Sequence, residues 1–549
     1  MADAAVKILP CHVFEVGFYR NRCLVRERGK TNQDGILAVR FKINNVIYLI
    51  ILFSLAAVYK EFQKSHRRMD ATEKKPHVIF IPMPSQSHVK AMLKLAQLLH
   101  HNGLQITFVN TEFIHKRLVN SGGAHSLDGS DGFRFATIPD GIPRSSDSEE
   151  KPLADLLIRH VETTFLTPFL DLATKLQTPP TLIISDGFMS LFTIDAAQKL
   201  GIPIMLYWTV AACGFMGFYQ TKSLIDKGFI PLKDKSYLTN GYLETMVDWI
   251  PGMNGIQLKH FPSTIRTTNP VDRLLNFCTE ATQKAHSVKY NIIHTFDALE
   301  ASIVDALSSR VPHIYTVGPL QLLLNQIPAE EKQTTISNFN GYSLWKEESE
   351  CLQWLDTKEP KSVIYVNFGS STVMSLQDLT EFGWGLANSN VYFLWIIRSG
   401  VVVGESSLLP PEFEERIKEK GFVASWCPQE KVLEHPSIGG FLTHGGWGST
   451  IESLSAGVPM ICWPYGWDQM TNCRYICKEW EVGLEMVKDV KREEVRKLVH
   501  ELMLGEGGRR LRKKAVEWKE KAWAATSPTG SSSLNVKKLV QDIVMLSRN

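Results

Sequence analysis

The sequence predicts an α/β protein with two doubly wound, Rossmann-like domains that face each other across a cleft. Three observations lead to this fold class. Short apolar runs alternate with helical patterns from about residue 77 to residue 317. The same alternation begins again near residue 362, and a polar, irregular stretch separates the two series. Two successive series of this kind indicate two parallel sheets that are covered by helices.

Length and composition set the broad class of protein. A chain of 549 residues is too long for one ordinary core. Its 44% hydrophobic and 21% charged content is typical of a globular enzyme. The net charge of +3 is too small to indicate nucleic acid as a partner. Nine thinly scattered cysteines favour a reducing compartment, so we expect a cytoplasmic location. Cys473 and Cys477 lack a nearby partner pair, which argues against a metal site.

The pattern divides the chain into five parts. A polar stretch rich in Gln, Asn, Glu and Thr follows Gly318-Pro319, and we place the domain linker there. The parts are an atypical leader (1–75), an N-terminal domain (76–320), the linker (321–350), a C-terminal domain (351–528) and a last helix (529–549). That helix has an apolar stripe, which we expect to pack back on the N-terminal domain. The stripe consists of Leu534, Val536, Leu539, Val540, Ile543 and Leu546.

The first series begins with a buried strand, 78–81, which a polar turn joins to a helix. The helix is predicted because Met92, Leu95, Ala96 and Leu99 follow the i, i+3, i+4, i+7 spacing. His88 lies in between, at the carboxyl end of the strand, where parallel sheets bind their ligands.

Asp186 follows another apolar run, 182–184, so it too is expected at the carboxyl end of a strand. If that strand runs parallel to the first, Asp186 and His88 share one rim of the sheet. A lone histidine is more often structural than catalytic. A carboxylate bonded to one ring nitrogen fixes the tautomer and leaves the other nitrogen to accept a proton from an alcohol. The pair therefore indicates a general base.

The second series contains a glycine loop, 443–449 (THGGWGS), between a predicted strand and a predicted helix. Glycines let the backbone approach a ligand, and the helix start offers unpaired N–H groups to a phosphate. A plain βα turn would show the same glycines, so the residues on either side of the loop must indicate whether it binds a phosphate. Trp426 could stack on a base, and Asp468 and Gln469 could bond sugar hydroxyls. The turn 368–371 is a second, weaker phosphate candidate.

The 44 residues from Trp426 to Gln469 resemble the signature segment of plant family-1 UDP-dependent glycosyltransferases. The resemblance extends over about residues 76–549. It implies the GT-B architecture, with an acceptor-binding N-terminal domain and a UDP-sugar-binding C-terminal domain. The terminal Gln469 resembles the glucose-using members, which implies UDP-glucose as co-substrate, with no metal and no cofactor.

The resemblance also implies a role for each residue of the donor site. Trp426 would stack on uracil, Gln429 and Glu452 would hold the ribose, and His444 and Ser449 would contact the diphosphate. The full implied set is Trp426, Gln429, His444, Trp447, Gly448, Ser449, Glu452, Asp468, Gln469, Ser370 and Thr209.

Three of these residues, Trp447, Asp468 and Gln469, would hold the sugar, and Thr209 matches a position that touches it. Two positions depart from the family's usual His-Cys-Gly-Trp-Asn-Ser core. Gly445 replaces Cys and Gly448 replaces Asn. The second change removes an amide that would contact a phosphate, so we expect it to affect donor affinity and not the type of reaction.

The family gives His88 and Asp186 the role of base and orienting acid in an inverting transfer. An acceptor hydroxyl would lose its proton to His88 as it attacks the anomeric carbon of UDP-glucose, giving a β-glucoside and UDP. Charge on the departing diphosphate would be stabilised by the helix-start N–H groups and His444.

The aromatic, sulfur-rich stretch 211–219 is either a core helix or a wall of the acceptor pocket, and both can hold. We place Met83, Phe188, Phe215 and Phe218 in that pocket. Such a lining supports a bulky apolar molecule with a free hydroxyl. The stretches 73–82, 237–243 and 463–486 resemble family members that glucosylate the 13-hydroxyl of steviol, which implies a diterpenoid. Another terpenoid, a cyanohydrin or a cytokinin remains an alternative acceptor.

Two other classes of protein were weighed. A nucleotide-sugar-binding protein without turnover would not need His88 and Asp186. An NAD-dependent dehydrogenase would need a Gly-x-Gly-x-x-Gly turn after the first strand, and residues 82–88 lack one.

The leader contains an apolar run, 43–59, of 17 residues that includes Asn44 and Asn45. At about 1.5 Å per residue it would only marginally cross a core of ~30 Å. Basic residues at both ends give no orientation, and the long polar segment before the run does not fit a signal peptide. Three interpretations of the leader remain: a membrane anchor, a disordered segment, or upstream sequence joined to a protein that starts at Met69. The last is favoured, because 69–76 resembles the family's short start, so membrane association is expected only if 43–59 serves as an anchor.

Overall fold

The computed structural model describes residues 75–123, 125–140, 153–328, 343–402, 411–487 and 489–548, and the backbone of three earlier strands. The chain divides into two compact units, Met1–Lys75 and Pro76–Asn549. In the first unit, β1 (Phe14–Tyr19), β2 (Arg22–Glu27) and β3 (Leu37–Val39) form an antiparallel sheet in that order. The sequence pattern predicted no strand here. The candidate anchor 43–59 lies outside the described residues, and no helix in the described ranges is long and apolar enough to cross a membrane.

The second unit contains a first parallel sheet of seven strands. In chain order they are β4 (His77–Ile81), β5 (Gln105–Thr111), β6 (Phe133–Ile138), β7 (Leu182–Asp186), β8 (Ile204–Trp208), β11 (Tyr290–Ile293) and β12 (Ile314–Thr316). The short strands β9 (Met246–Val247) and β10 (Ile256–Gln257) form a separate antiparallel pair. The sheet order is β12-β11-β8-β7-β4-β5-β6, so the winding reverses between β4 and β7.

A second parallel sheet of six strands follows. Its strands are β13 (Val363–Asn367), β14 (Tyr392–Ile396), β15 (Gly421–Ala424), β16 (Ile438–Thr443), β17 (Met460–Cys462) and β18 (Gly483–Glu485). They are arranged β15-β14-β13-β16-β17-β18, and the winding reverses between β13 and β16. The predicted pair of doubly wound sheets is thus confirmed. In such sheets ligands bind outside the carboxyl ends of the strands at the point of reversal.

Helices cover both sheets. Those of the first half are Gln86–His101, Glu112–Gly122, Leu153–Thr163, Leu166–Lys175, Ser190–Leu200, Ala212–Tyr219, Thr221–Asp226, Arg273–Gln283, Asp297–Ser308 and Leu320–Asn325. Those of the second half are Glu350–Asp356, Leu376–Asn388, Pro411–Ile417, Gln429–Glu434, Trp447–Ala456, Gln469–Arg474, Arg492–Leu504, Glu506–Thr526 and Ser531–Leu546, with a π-helical turn at Tyr475–Glu479.

The helix Gln86–His101 follows the predicted spacing, and it buries Met92, Leu95, Ala96 and Leu99. Fully burying a leucine or methionine side chain is worth about 1.5–3 kcal/mol, so this face holds the helix on the sheet. The helix ends where the Asn102 side chain donates to the Leu98 carbonyl at 2.7 Å.

The predicted linker begins differently in the structure. Leu320–Asn325 is a helix, and its leucines are buried in the core of the first half. The sequence pattern had marked this segment as irregular because its apolar run is only one and a half turns long. Gln321 and Gln326 bond Ser455 and the Thr526 carbonyl of the second half. Residues 329–342 lie outside the described part.

The last helix, Ser531–Leu546, lies against the first sheet's core, where Val536, Leu539 and Ile543 are buried. The Asn535 amide donates to Thr316 Oγ1 of β12 at 2.8 Å. Leu534 does not take part, because it is 51% exposed.

Candidate active site

A cavity of about 1330 Å³ lies at the carboxyl ends of both sheets and is lined by both halves of the second unit. Each of the predicted site residues except Asp186 and Phe215 lines it, and Asp186 lies buried behind His88. Each sheet contributes loops to this one cavity from the point where its winding reverses. The cavity can therefore hold a ligand that contacts both halves.

The predicted general base, His88, and its partner Asp186 lie together at the point where the winding of the first sheet reverses. His88 Nδ1 lies 2.7 Å from Asp186 Oδ2. Thr209 Oγ1, which the family pattern assigned to the sugar, lies 2.8 Å from the same nitrogen. Asp186 is fully buried, and its second oxygen accepts the Phe188 backbone N–H at 3.0 Å. This arrangement orients the imidazole and leaves Nε2 for a proton from an acceptor.

The environment also sets the charge state of His88. Burial opposes the charged ring, but the charge and hydrogen bond of Asp186 outweigh it, with help from Asp468, and raise the pKa of His88 above its ordinary value. A base with a raised pKa holds an abstracted proton more firmly.

Aromatic rings surround the base on the side of the first half. Phe188 meets His88 edge-on, with ring centroids 6.0 Å apart, and also packs on Phe218 and Phe277. Met83, Phe188, Phe218 and Phe277 all line the cavity. The sequence analysis did not identify Phe277, because it follows a stretch without clear periodicity.

Phe215 is a correction to the predicted pocket. Its ring is fully buried, with its centroid 4.5 Å from that of Trp208, and it does not line the cavity. The helix Ala212–Tyr219 turns Phe218 towards the ligand and Phe215 into the core. Glu300 holds this helix by accepting the backbone N–H groups of Ala212 at 2.9 Å and Cys213 at 2.7 Å.

On the opposite side, the glycine loop leads from β16 into the helix Trp447–Ala456, which begins at the cavity. No side chain caps this helix, so its first N–H groups have no acceptor within the helix and are available to an anion.

The His444 imidazole is enclosed by Gly369 and Gly446, since a side chain at either position would collide with it. Burial, with the positive charge of Arg398, lowers the pKa of His444 to about 4. His444 is therefore neutral at neutral pH, and any contact with a diphosphate is made by a neutral imidazole. Arg398 had no place in the sequence prediction. Its guanidinium bonds the carbonyls of Gly369 and Thr372 and fixes the loop after β13.

The two unusual glycines differ in their surroundings. Gly445 has a φ of +75°, which favours glycine, so a cysteine there would be strained. Gly448 has ordinary helical backbone, and no atom lies within 4 Å of where its Cβ would be. An asparagine side chain would therefore have room at position 448.

The residues assigned to the ribose form one hydrogen-bonded group. Gln429 Nε2 donates to Glu452 Oε2 at 2.8 Å and to Ser449 Oγ at 3.0 Å. Gln429 Oε1 accepts from Asn367 Nδ2 at 3.0 Å and from the Tyr365 hydroxyl at 3.1 Å. The amide is thus locked in one orientation, which presents the Glu452 carboxylate to the cavity. Ser370, on the loop after β13, lies at the cavity wall.

The residues assigned to the sugar lie between the two halves. Gln469 Oε1 accepts the backbone N–H groups of Tyr465 and Gly466, which leaves its Nε2 for a ligand. Asp468 accepts from Asn472 Nδ2 at 3.0 Å, and burial raises the pKa of Asp468. The Trp447 indole N–H donates to the His294 carbonyl at 2.7 Å, so that side-chain donor is not available to a sugar.

Trp426 is stacked on Trp345, with ring centroids 4.7 Å apart and planes inclined by 25°. The Arg117 guanidinium lies 4.5 Å from the centroid of the Trp345 ring. Sequence reasoning missed Trp345 because it falls in the predicted linker. Trp426 belongs to the second half and Arg117 to the first. Trp345 therefore connects Trp426, the residue predicted to stack on uracil, to the first half.

Within the described ranges, no group of three or more His, Cys, Asp or Glu side chains could hold a metal ion. The cavity thus combines an imidazole bonded to a carboxylate, an apolar lining and a helix start without a side-chain cap.

The sequence and the fold are similar to those of known proteins. Residues 271–509 match the family described as UDP-glucoronosyl and UDP-glucosyl transferase. UDP-glycosyltransferase 85C2 of Stevia rebaudiana is 68% identical over 481 residues, which cover 88% of this chain and 99% of the relative. (R)-Mandelonitrile beta-glucosyltransferase of Prunus dulcis is 51% identical over 484 residues, covering 87% of this chain and 99% of the relative. The crystal structure of UDP-glucose: anthocyanidin 3-O-glucosyltransferase in complex with UDP superposes with a TM-score of 0.72 at 25% identity, covering 86% of this chain and all of that one.

Proposed function

This chain belongs to the plant family-1 UDP-glycosyltransferases, with their GT-B fold, and is a UDP-glucosyltransferase; from that premise we propose a donor, an acceptor class and a set of catalytic residues. The reaction is inverting transfer of glucose from UDP-glucose to a hydroxyl of a bulky apolar metabolite, a diterpenoid alcohol of the steviol type. The observation that carries the proposal is the His88–Asp186 pair, whose His88 lines the same cavity as the glycine loop.

The donor occupies the side of the second half. Uracil stacks against Trp426, the ribose hydroxyls bond Glu452, and the diphosphate takes the first N–H groups of the helix Trp447–Ala456. Glucose lies beside Asp468 and Gln469, whose polar groups suit sugar hydroxyls. Trp447 contributes through its backbone, because its indole N–H is bonded to His294.

The transfer is a single displacement. The acceptor oxygen forms a bond to the anomeric carbon as its proton passes to His88 Nε2, and the bond from that carbon to the diphosphate oxygen breaks. UDP leaves with the bonding electron pair, and the helix-start N–H groups stabilise its charge. Attack from the face opposite the leaving group turns the α-linked sugar of the donor into a β-glucoside. Asp186 stabilises the imidazolium that forms.

The acceptor occupies the apolar pocket beside His88. Phe188, Phe218 and Phe277 give it aromatic walls and Met83 adds an apolar one, which together suit a polycyclic carbon skeleton better than a flexible polar one. The likeness of three sequence stretches to steviol glucosyltransferases supports a diterpenoid, with its 13-hydroxyl directed at His88. A cyanohydrin acceptor is the second candidate, because a relative of 51% identity is named for mandelonitrile.

The test is UDP release from UDP-glucose with a panel of diterpenoid alcohols, other terpenoid alcohols, cyanohydrins and cytokinins. We expect the highest kcat/KM with a diterpenoid that carries a free 13-hydroxyl, and a product with β configuration at the anomeric carbon. Preference for a cyanohydrin would replace the acceptor class, and an α-glucoside would contradict the single displacement. UDP binding without turnover across the panel would favour a non-catalytic nucleotide-sugar-binding protein.

A further inference from the structure

An ionic quartet joins the helix that carries His88 to the donor side of the cavity, with two buried members (Lys94 and Glu452) and two partly exposed ones (Lys90 and Glu430). It consists of Lys90 and Lys94 on Gln86–His101, Glu430 on Gln429–Glu434 and Glu452 on Trp447–Ala456. Lys90 Nζ lies 2.6 Å from Glu430 Oε1 and 2.7 Å from Glu452 Oε1. Lys94 Nζ lies 2.6 Å from Glu430 Oε1 but 3.9 Å from Glu452 Oε1. Lys90 is thus the ammonium group that holds both carboxylates at hydrogen-bond distance.

The quartet is charged despite its partial burial. Burial opposes the ammonium form of Lys90, but Glu430 and Glu452 outweigh it and raise the pKa of Lys90. Burial likewise opposes the ionised form of Glu430, and the two lysines outweigh it and lower its pKa. Burial and the positive charge of Lys90 lower the pKa of Lys94 in spite of Glu430. When both lysines are protonated and both carboxylates are ionised, the quartet carries no net charge. Removing one buried charge would leave its partners uncompensated.

Lys94 is the other ammonium group near Glu452, but its Nζ lies 3.9 Å from Glu452 Oε1, beyond hydrogen-bond distance. His294 lies close to the quartet, but burial lowers its pKa to about 3, so the ring is neutral. Neither ring nitrogen of His294 has a hydrogen-bond partner among the described residues. Glu347 adds a further carboxylate, whose pKa is raised by burial and by the nearby acids in spite of Lys90. The donor side of the cavity is therefore rich in carboxylates close to where a diphosphate would lie.

We propose that Lys90 is a donor-positioning residue, which holds Glu452 for the ribose and offsets the carboxylate charge that would otherwise repel the diphosphate. The inference rests on the proposed function, because it takes Glu452 as a ribose contact. Lys90 is only two residues beyond His88 on the same helix, and both side chains line the cavity. The helix that supplies the base for the acceptor thereby also completes the donor site in the other half of the unit.

The test compares the full chain with K90M and with K90M/E430Q. For K90M we expect the dissociation constant of UDP and the KM for UDP-glucose to rise about tenfold or more, as when one partner of a buried charge pair is removed. We expect the KM for the acceptor to stay unchanged, since the ion pairs of Lys90 are with Glu430 and Glu452 on the donor side. In K90M/E430Q the charges balance again, but Glu452 still lacks its Lys90 partner, so we expect UDP affinity to recover only part of the loss.

The matched control is K222M, which removes an exposed lysine paired with Asp226 on the helix Thr221–Asp226. It should leave UDP affinity unchanged. Circular dichroism and the thermal unfolding midpoint show whether K90M is folded. If K90M does not fold, the K90M/E430Q variant carries the test, because its neutral quartet should bind UDP.

Two results would overturn the inference alone. One is a folded K90M that binds UDP as tightly as the unaltered chain. The other is a folded K90M/E430Q that binds UDP no better than K90M, or that also fails to bind it when K90M cannot fold. If the unaltered chain itself binds no UDP, the proposed function is contradicted, and the inference with it.

Discussion

His88 Nδ1 lies 2.7 Å from Asp186 Oδ2, although 98 residues separate the two along the chain. His88 follows β4 and Asp186 ends β7, the two neighbouring strands between which the winding of the first sheet reverses. The loops after such strands run in opposite directions and leave a crevice, and this pair lies in it.

The pH dependence of catalysis should follow from this pair. His88 must be neutral to accept a proton, so activity should fall as the pH drops through its pKa, which Asp186 raises above the ordinary value of about 6.5. In D186N, burial remains without the carboxylate, so the acid limb of the kcat/KM profile should move to lower pH. The rate should fall by about 10²–10⁴-fold, because the imidazolium loses its stabilising charge. An acid limb that stays in place would contradict the role of Asp186.

Replacing Gly448 by asparagine should raise the affinity for the donor. Since nothing lies within 4 Å of its missing Cβ, G448N should fold normally and place an amide beside the diphosphate. We expect UDP to bind about three- to tenfold more tightly, as for one added hydrogen bond. The control is G448A, which adds a Cβ without the amide and should leave UDP affinity unchanged. Equal UDP affinities of G448N and the unaltered chain in calorimetry would argue against a phosphate contact at this position.

Trp345 should matter for the nucleotide although it lies before the signature segment. W345A removes the ring that stacks on Trp426, and such a stack contributes about 0.5–1.5 kcal/mol. We expect UDP affinity to fall about three- to tenfold, with little change in the acceptor KM. W523A, which removes a tryptophan that is 57% exposed, is the control and should bind UDP normally. Normal UDP binding by W345A would show that Trp426 needs no support from this side.

Phe277 and Phe215 should separate the pocket from the core. F277A enlarges the pocket, and we expect the acceptor KM to rise about tenfold or more, as for a lost aromatic contact, with the UDP-glucose KM unchanged. F215A should cost about 3–5 kcal/mol of stability, because it leaves a void in the core. Thermal unfolding and acceptor kinetics on both variants check this. A larger acceptor effect in F215A than in F277A would contradict the assignment.

The sequence predicted much of the fold because apolar runs and helical spacing are local signals. The strands predicted at 78–81 and 182–184 lie within two residues of β4 and β7. No pattern marked β6, β11 and β18, since they lack a distinctive apolar run. The helix Leu320–Asn325 was missed for a related reason. Its leucines are stabilised by packing on other helices and not by a long pattern of their own.

The site residues also fall into two groups, those that a local sequence signal predicts and those that it does not. His88, Asp186 and the glycine loop follow directly from strand ends, so their position on a sheet rim could be expected. Lys90 and Glu452 could not be paired in advance, because 362 residues separate them and their contact depends on how the two halves meet. Trp345 lies in the predicted linker and Phe277 on the helix Arg273–Gln283, and no local signal distinguishes them from loop and core residues.

The proposed transfer depends on His88 as the general base. The decisive measurement is kcat for UDP-glucose and the preferred alcohol in H88A, together with the dissociation constant of UDP for the same variant. We expect kcat to fall by about 10²–10⁴-fold, as for loss of a general base, while UDP binds within about twofold of the unaltered chain. An H88A variant that transfers glucose at the original rate would contradict the central claim.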